Sequence, residues 1–467
     1  MKKFYLILLS LLIPLQTYAQ DRFTLARCQE LALQHNYSIK AALHQRSAAS
    51  NERKAAFTHF LPSLNFAGTY MRMNKKIVYE TPDISLPLYD VNGNPVYLMN
   101  PTTQLPYIDP SYGFTYFPAQ SLEFGQKNNY AGSVAMIQPL FMGGKILNQY
   151  KIHKYYENIT DANARLKKMD VVLKTHELYW QLVSLLEKRI LAQRHYELID
   201  SLITDLEAYF AEGIIANNDL LKARVKLHEA ELNVVKVDNA VSLAKMALCQ
   251  LIGVPLHQDI VPADCLTQEC VPLSMKEYYT QALKNRPEIE MLQNTVNVSK
   301  ALVKVARSRY MPNIIAQAQY MYLNPNPYNS FDEEFGGDWT VGVTCQFELF
   351  HWNERGFSLS AAKEQQKMNE SQYDEARELI FLEVQQNVFQ VNEAAKKVAM
   401  TQIALDEAEE NLHITTDNFA EGIVNSTEVF EAQTLWQKAY SENIDAKVEY
   451  TVHKARFLKA IGAINES

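Results

Sequence analysis

The chain has 467 residues, with 45 Lys and Arg against 53 Asp and Glu, a formal net charge of -8 and a pI of 5.8. That acidic balance gives no support for nucleic-acid binding, and the length alone suggests two or three domains. Five cysteines (Cys28, Cys249, Cys265, Cys270 and Cys345) are an odd number without zinc-type spacing; Cys265 and Cys270 either pair in an oxidising compartment or remain thiols.

Residues 1–19 read as an export signal. Lys2 and Lys3 form the basic start, Phe4 to Leu15 the apolar stretch, and Thr17-Tyr18-Ala19 the small-residue cleavage site. The apolar stretch is shorter than the roughly 20 residues a membrane-spanning helix needs, and the alternative is a buried N-terminal helix. Beyond it no long apolar run offers a transmembrane helix.

The rest of the chain repeats itself. Phe210-Ala211-Glu212-Gly213-Ile214 recurs as Phe419-Ala420-Glu421-Gly422-Ile423, an offset of 209 (419 minus 210), and the same offset lays Leu251-Ile252-Gly253 on Ala460-Ile461-Gly462. Residues 23–70 align instead on 273–320, an offset of 250, with Ile39 on Ile289 and Pro62 on Pro312. The difference, 41 residues, falls between Tyr70 and Leu140 of the first half, in a Pro-, Tyr- and Asn-rich stretch, 74–128, expected as a long irregular loop. The expected organisation is therefore a first repeat over 20–253, a proline-containing linker over 254–272 and a second repeat over 273–467.

Each repeat parses alike. A Thr24 or Ser274 N-cap, the latter with Glu277 as a capping box, opens a helix running to Phe60 or Tyr310. Strand, loop and strand follow. A long helix then runs from about Lys145 to Phe210, or Arg355 to Phe419, and a glycine tip turns it into a return helix ending near Gly253 or Gly462. A helix of about 65 residues extends roughly 100 Å and calls for coiled-coil packing. In the return helix Ala230, Val234, Val237, Val241, Ala244, Leu248 and Leu251 repeat in steps of four and three, the seam of a left-handed coiled coil. The fold class is mainly α with a small β part.

The strands alternate. Leu64, Phe66, Gly68 and Tyr70 interleave with Ser63, Asn65, Ala67 and Thr69, and Trp339, Val341, Val343, Cys345 and Phe347 with Thr340, Gly342, Thr344 and Gln346. This suits a membrane barrel, although a half-buried soluble strand alternates in the same way. Four strands cannot close around a channel and their edges are untenable in lipid, whereas three copies give twelve strands.

Leu25 through Ala42, the Phe60-Leu61-Pro62-Ser63-Leu64 helix exit, Gln138-Pro139-Leu140-Phe141-Met142-Gly143-Gly144 and the two FAEGI tips, in this order and in duplicate, resemble the TolC family of outer-membrane efflux proteins. The resemblance covers nearly the whole mature chain. It implies a homotrimer with a twelve-stranded barrel in the outer membrane of a Gram-negative bacterium and a helical tunnel in the periplasm. It also implies a periplasmic adaptor and an inner-membrane pump of RND, ABC or MFS type as partners, with drugs, metals or proteins as cargo, and no cofactor. The stretch 74–128 would then be extracellular and 254–272 equatorial. The ten tip residues, Phe210 to Ile214 and Phe419 to Ile423, fall where the family meets its adaptor.

The family's acidic gate positions fall on Glu428 and Glu431, three apart on one helix face, and its first-tip acid on Asp219. Three copies would ring the opening with carboxylates that favour cations. Negative charge in a first helical turn also suits the helix dipole without any gate. The resemblance departs at the latch: Phe419 and Val424 stand where the family often has an aromatic hydroxyl and a basic residue.

Catalysis is not expected. The eleven histidines are scattered, no nucleophile elbow or phosphate loop is present, and His176 beside Glu177 reads as surface. The competing reading is a structural periplasmic coiled coil or an adaptor subunit, which would carry one hairpin flanked by β-rich domains.

Overall fold

The computed structural model describes residues 22–87, 92, 98–99, 102, 106–107, 114–124, 126–266, 270–274, 278–329 and 333–464. The expected export signal lies outside the described residues. The first repeat runs β1 (Arg22–Phe23), α1 (Leu25–His35), α2 (Tyr37–Thr58) and β2 (Ser63–Arg72). Short strands follow: β3 (Ile77–Thr81), β4 (Ile84–Pro87), β5 (Leu98–Met99), β6 (Pro106–Tyr107), β7 (Phe114–Phe117) and β8 (Gln120–Phe124). Then come β9 (Asn128–Met142), α3 (Lys145–Ala211) and α4 (Asn217–Ile252), with β10 (Val261–Pro262) between the repeats. The second repeat runs α5 (Tyr278–Asn285), α6 (Pro287–Ser308), β11 (Asn313–Asn324), β12 (Gly336–Gln346), α7 (Glu354–Ala420) and α8 (Ser426–Ala460).

Two compact units result, a helical one (up to Lys54, Asn148–Val303 and from Ser358 on) and a strand-bearing one (Ala55–Leu147 and Lys304–Phe357).

In the helical unit α3 and α7 are each 67 residues long, close to the expected length. The duplication holds at the level of packing. One core cluster contains Tyr179, Leu182, Leu248 and Ile252; a second contains Val388, Val391, Phe457 and Ile461, each 209 residues later. The seam expected in α4 is inward: Ala230, Val241, Ala244, Leu248 and Leu251 are buried, Val234 and Val237 half-buried.

The first helix of each repeat is not continuous as expected. Thr24 caps α1, its Oγ1 accepting from Arg27 N–H at 3.2 Å, but the helix stops at His35. Asn36 is extended, and its Oδ1 accepts from Ser38 N–H at 2.9 Å, competing with the helical backbone as asparagine does. In the second repeat Pro287 occupies the first turn of α6, where its missing N–H costs nothing. α2 ends at Thr58, two residues short of Phe60. Glu277 of the expected capping box lies outside the described residues.

The breaks bring the first helices against the ends of the return helices in the same manner twice. Asn36 Nδ2 donates to Leu251 O at 3.4 Å, and the guanidinium of Arg286 to Ala460 O at 3.5 Å. Gly253 and Gly462 adopt φ of 77° and 78°. A Cβ on Gly253 would collide with His35 Cβ, and one on Gly462 would lie 2.7 Å from Asn285 Cβ. Positive φ and close approach both demand glycine there.

The linker is more structured than proline content suggests. β10 pairs in parallel with β1, and Asp264 Oδ2 accepts from Leu25 N–H at 2.8 Å. The Tyr179 hydroxyl stands 2.8 Å from the same oxygen and 2.9 Å from Phe23 O. Cys265 and Cys270 are not joined by a disulfide. His176, expected at the surface, is instead half-buried: neither ring nitrogen has a partner, and burial pushes its pKa down to about 4.

In the strand-bearing unit β12, β11, β9 and β2 form, in that order, an antiparallel sheet. The register aligns the alternation across all four strands. Phe66, Val134, Tyr320 and Trp339 form one row; the adjacent row on the opposite face is Asn65, Ala135, Gln319 and Thr340. Phe66 and Trp339 are 79% and 69% exposed, so this face has no cover among the described residues. The described residues of the stretch 74–128 do not form an irregular loop: β3 pairs with β8, β4 with β7 and β5 with β6, three nested antiparallel ladders. Of its described prolines, Pro82 and Pro118 sit between short strands and Pro87 and Pro106 at strand ends, where proline is tolerated.

Candidate functional site: the paired hairpin tips

At the first tip Gly213 N–H donates to Phe210 O at 3.0 Å and Ile214 N–H to Tyr209 O at 2.9 Å. At the second, Gly422 N–H donates to Phe419 O at 2.9 Å and Ile423 N–H to Asn418 O at 2.8 Å. Both are Schellman closures, with glycine φ of 73° and 76°. A Cβ on either glycine would meet nothing within 4 Å, so here glycine answers to φ alone, unlike Gly253 and Gly462.

The two tips lie side by side. Val429 of α8 is buried in one cluster with Leu206 of α3 and Leu220 and Ala223 of α4, and Phe419 packs against it. Above this core the tips leave apolar side chains in solvent, Ile214 at 63% and Ile423 at 66% exposure. Glu212 and Glu421 are exposed beside them.

The return helices start differently. The N-cap of α4, Ala216, offers no side-chain cap, whereas at the N-cap of α8 Asn425 Oδ1 accepts from Thr427 and Glu428 N–H at 2.9 and 3.3 Å. Glu428 Oε1 in turn accepts from Asn425 Nδ2 at 3.0 Å. The Glu428 carboxylate thus belongs to the cap as well as to the dipole-favoured first turn. Asp219, in the first turn of α4, pairs with Lys222 at 3.3 Å.

Asp219 and Glu428 line one cavity of about 710 Å³ between the tips, together with Tyr209, Ile215, Phe419 and Val424. Glu431 does not share it. That residue lines an adjacent groove between α4 and α8, with Val225, Phe430, Glu229 and the three lysines Lys222, Lys226 and Lys438. Residues three apart on a helix are neighbours, yet here the two carboxylates line different cavities. Sequence reasoning missed Lys222 and Tyr209. The i,i+3 spacing of Asp219 and Lys222 was a readable signal for the first; nothing local marks the second. No cluster of three or more metal-ligating side chains occurs among the described residues, and no described helix is long and apolar enough to cross a membrane.

Duplicated long helical hairpins joined to a four-stranded antiparallel sheet with one uncovered apolar face define the TolC-like class of outer-membrane channels. The sequence profile of the outer membrane efflux protein family matches residues 29–254 and 278–463, and the chain belongs to that family. No curated protein matches the sequence. Among solved structures, the Campylobacter jejuni CmeC outer membrane channel is similar over 94% of this chain and 86% of its own, at 17% identity and a TM-score of 0.75. The Vibrio cholerae outer membrane protein VceC matches over 94% and 96% at 16% identity and 0.73, and the Neisseria gonorrhoeae MtrE outer membrane channel in its open state over 94% and 89% at 16% and 0.71. The function that follows is that of an outer-membrane efflux channel.

Proposed function

We propose that three copies of this chain close into a twelve-stranded barrel and a helical tunnel, the exit duct of a tripartite efflux or type I secretion system. The observation that carries this reading is the sheet itself. Its edge strands β2 and β12 run antiparallel to one another and have ten and eleven residues, so β2 of one copy matches β12 of the next in direction and length. Head-to-tail contacts of this kind close into rings. Closure also removes the open edges, which lipid does not tolerate, and turns the row Phe66, Val134, Tyr320 and Trp339 outward as a continuous apolar band.

The exposed tips, Phe210 to Ile214 and Phe419 to Ile423, are the surface offered to a periplasmic adaptor, itself fed by an inner-membrane pump. Glu428, Glu431 and Asp219 form the periplasmic gate. Cargo selection belongs to the pump, whose type and substrate this duct does not specify. An adaptor role for the chain itself is not favoured, since the chain has two hairpins, both inside the family match.

Native mass spectrometry in detergent and planar-bilayer conductance test the assembly together. A trimer that conducts is expected; a detergent-free soluble monomer would overturn the reading.

A further inference from the structure

The two hairpins of the chain meet along one seam, and the duplication calls for a second. α3 and α8 lie antiparallel in contact: Lys188 pairs with Asp445 at 2.7 Å and Arg456 with Glu177 at 2.8 Å. Leu191 of α3 and Ile444 of α8 are buried in one cluster on this seam. The 209-residue offset lays α3 on α7 and α4 on α8. Leu191 then falls on Met400 (191 plus 209) and Ile444 on Val235 (444 minus 209), yet these counterparts are 71% and 52% exposed. Inside the hairpins the mapping preserves burial, as Leu182 and its counterpart Val391 are both fully enclosed. What the second half lacks is the facing helix.

The residues left bare form matched stripes. Met400, Ile403 and Ile414 follow one another along α7 at intervals of three and eleven, and Val235, Leu232 and Leu221 follow along α4 at the same intervals in the opposite direction. All six are about half exposed or more. Eleven residues complete three helical turns, so each set lies along one face. Laid antiparallel, Met400 meets Val235, Ile403 meets Leu232 and Ile414 meets Leu221. Charge fits the same register. Glu407 and Glu410, which make no ion pair among the described residues, come within one turn of Lys226 and Lys222, whose partners Glu229 and Asp219 are single acids on their own helix. Lys397 comes near Lys236, but Glu449 of its own hairpin already holds it at 2.6 Å.

We propose that α4 of one copy packs against α7 of the next in this register, reproducing between copies the seam that α3 and α8 make within one. The inference rests on the trimeric reading and adds which helices meet and which side chains face each other. The occupant is a second copy because the two stripes match one another in spacing and direction, and because the fold already makes this contact once between the duplicated partners of the same helices. Since α4 and α7 are different surfaces, the contact is head to tail and repeats around a ring.

The test uses the full chain with Cys265→Ser, Cys270→Ser and Cys345→Ser, purified in detergent and treated with a short bis-maleimide. Val235→Cys with Met400→Cys is the matched pair. Leu221→Cys with Met400→Cys is the control, its first cysteine displaced by roughly 21 Å along α4 at about 1.5 Å per residue. Native mass spectrometry reads oligomeric state in parallel. Covalent dimers and trimers from the matched pair, with none from the control or from either single cysteine, are the expected result. A trimer by mass in which the matched pair links no more than the control overturns the seam and leaves the stripes to another partner. A monomer by mass overturns the trimeric reading beneath it.

Discussion

Tyr209, the last aromatic before the first tip, meets Phe419 of the second tip edge-on, with ring centroids 6.0 Å apart and planes at 65°. This contact links the hairpins next to the cavity that holds Asp219 and Glu428. An aromatic pair of this geometry contributes about 0.5–1.5 kcal/mol beyond its buried area. A double-mutant cycle of Tyr209→Leu and Phe419→Leu should return a coupling in that range, read from hydrogen exchange of the tip amides. Additive effects would show that the two tips move independently.

The carboxylates near the tips should matter to ion passage unequally. Glu428→Ala and Glu431→Ala together are expected to weaken block by divalent cations in planar-bilayer recordings, since a ring of carboxylates focuses negative potential. Glu428 shares its cavity with Asp219 and Glu421, whereas the groove of Glu431 holds Glu229 and three lysines, so Glu428→Ala alone should give the larger share. Unchanged block in the double variant would remove both from the gate.

The four glycines that end helices should separate by substitution. Gly253→Ala and Gly462→Ala add a Cβ against His35 or Asn285 at positive φ, at an expected loss of about 2 kcal/mol or more in urea unfolding. Gly213→Ala and Gly422→Ala meet open space and should lose only about 1 kcal/mol, from φ alone. A bulky residue such as Trp at either tip glycine should abolish export in cells while trimers persist; normal export would count against docking there.

His176 should make the fold acid-sensitive. Its folded pKa, pushed down to about 4 by burial, lies below the ordinary value of 6.5, so the unfolded chain takes up the proton first as pH falls. The stability linked to this group is complete above about pH 6.5 and is lost between there and about pH 4, by up to about 3 kcal/mol. His176→Leu should flatten that part of the pH profile relative to the parent. Equal slopes for the two proteins would assign the acid sensitivity elsewhere.

Much of the architecture was legible because periodicity and repetition are local properties. The FAEGI repeat located both tips, the four-three spacing from Ala230 to Leu251 located a buried seam, and alternation in Leu64 to Tyr70 located a strand. The helix break at Asn36 was not legible, since a single polar residue in a helical pattern gives only a weak local signal; the break at Arg286 was readable from Pro287, which ends a helix at the preceding residue, and was passed over. The stretch 74–128 misled for a related reason. Its prolines and asparagines mark turns, but the strands between them are short and acquire their meaning only from partners up to 47 residues away (124 minus 77).

The sequence by itself determined the duplication, the helical hairpins, the alternating strands and the family, because each is written in spacing along the chain. Tertiary structure alone decided that Asp219 and Glu428 face one cavity while Glu431 faces another among lysines, that His176 is half-buried with its ring nitrogens enclosed, and that Gly253 is required by His35. These depend on which surfaces of distant helices meet. A side chain's burial and partners are properties of that meeting, and no local pattern encodes them.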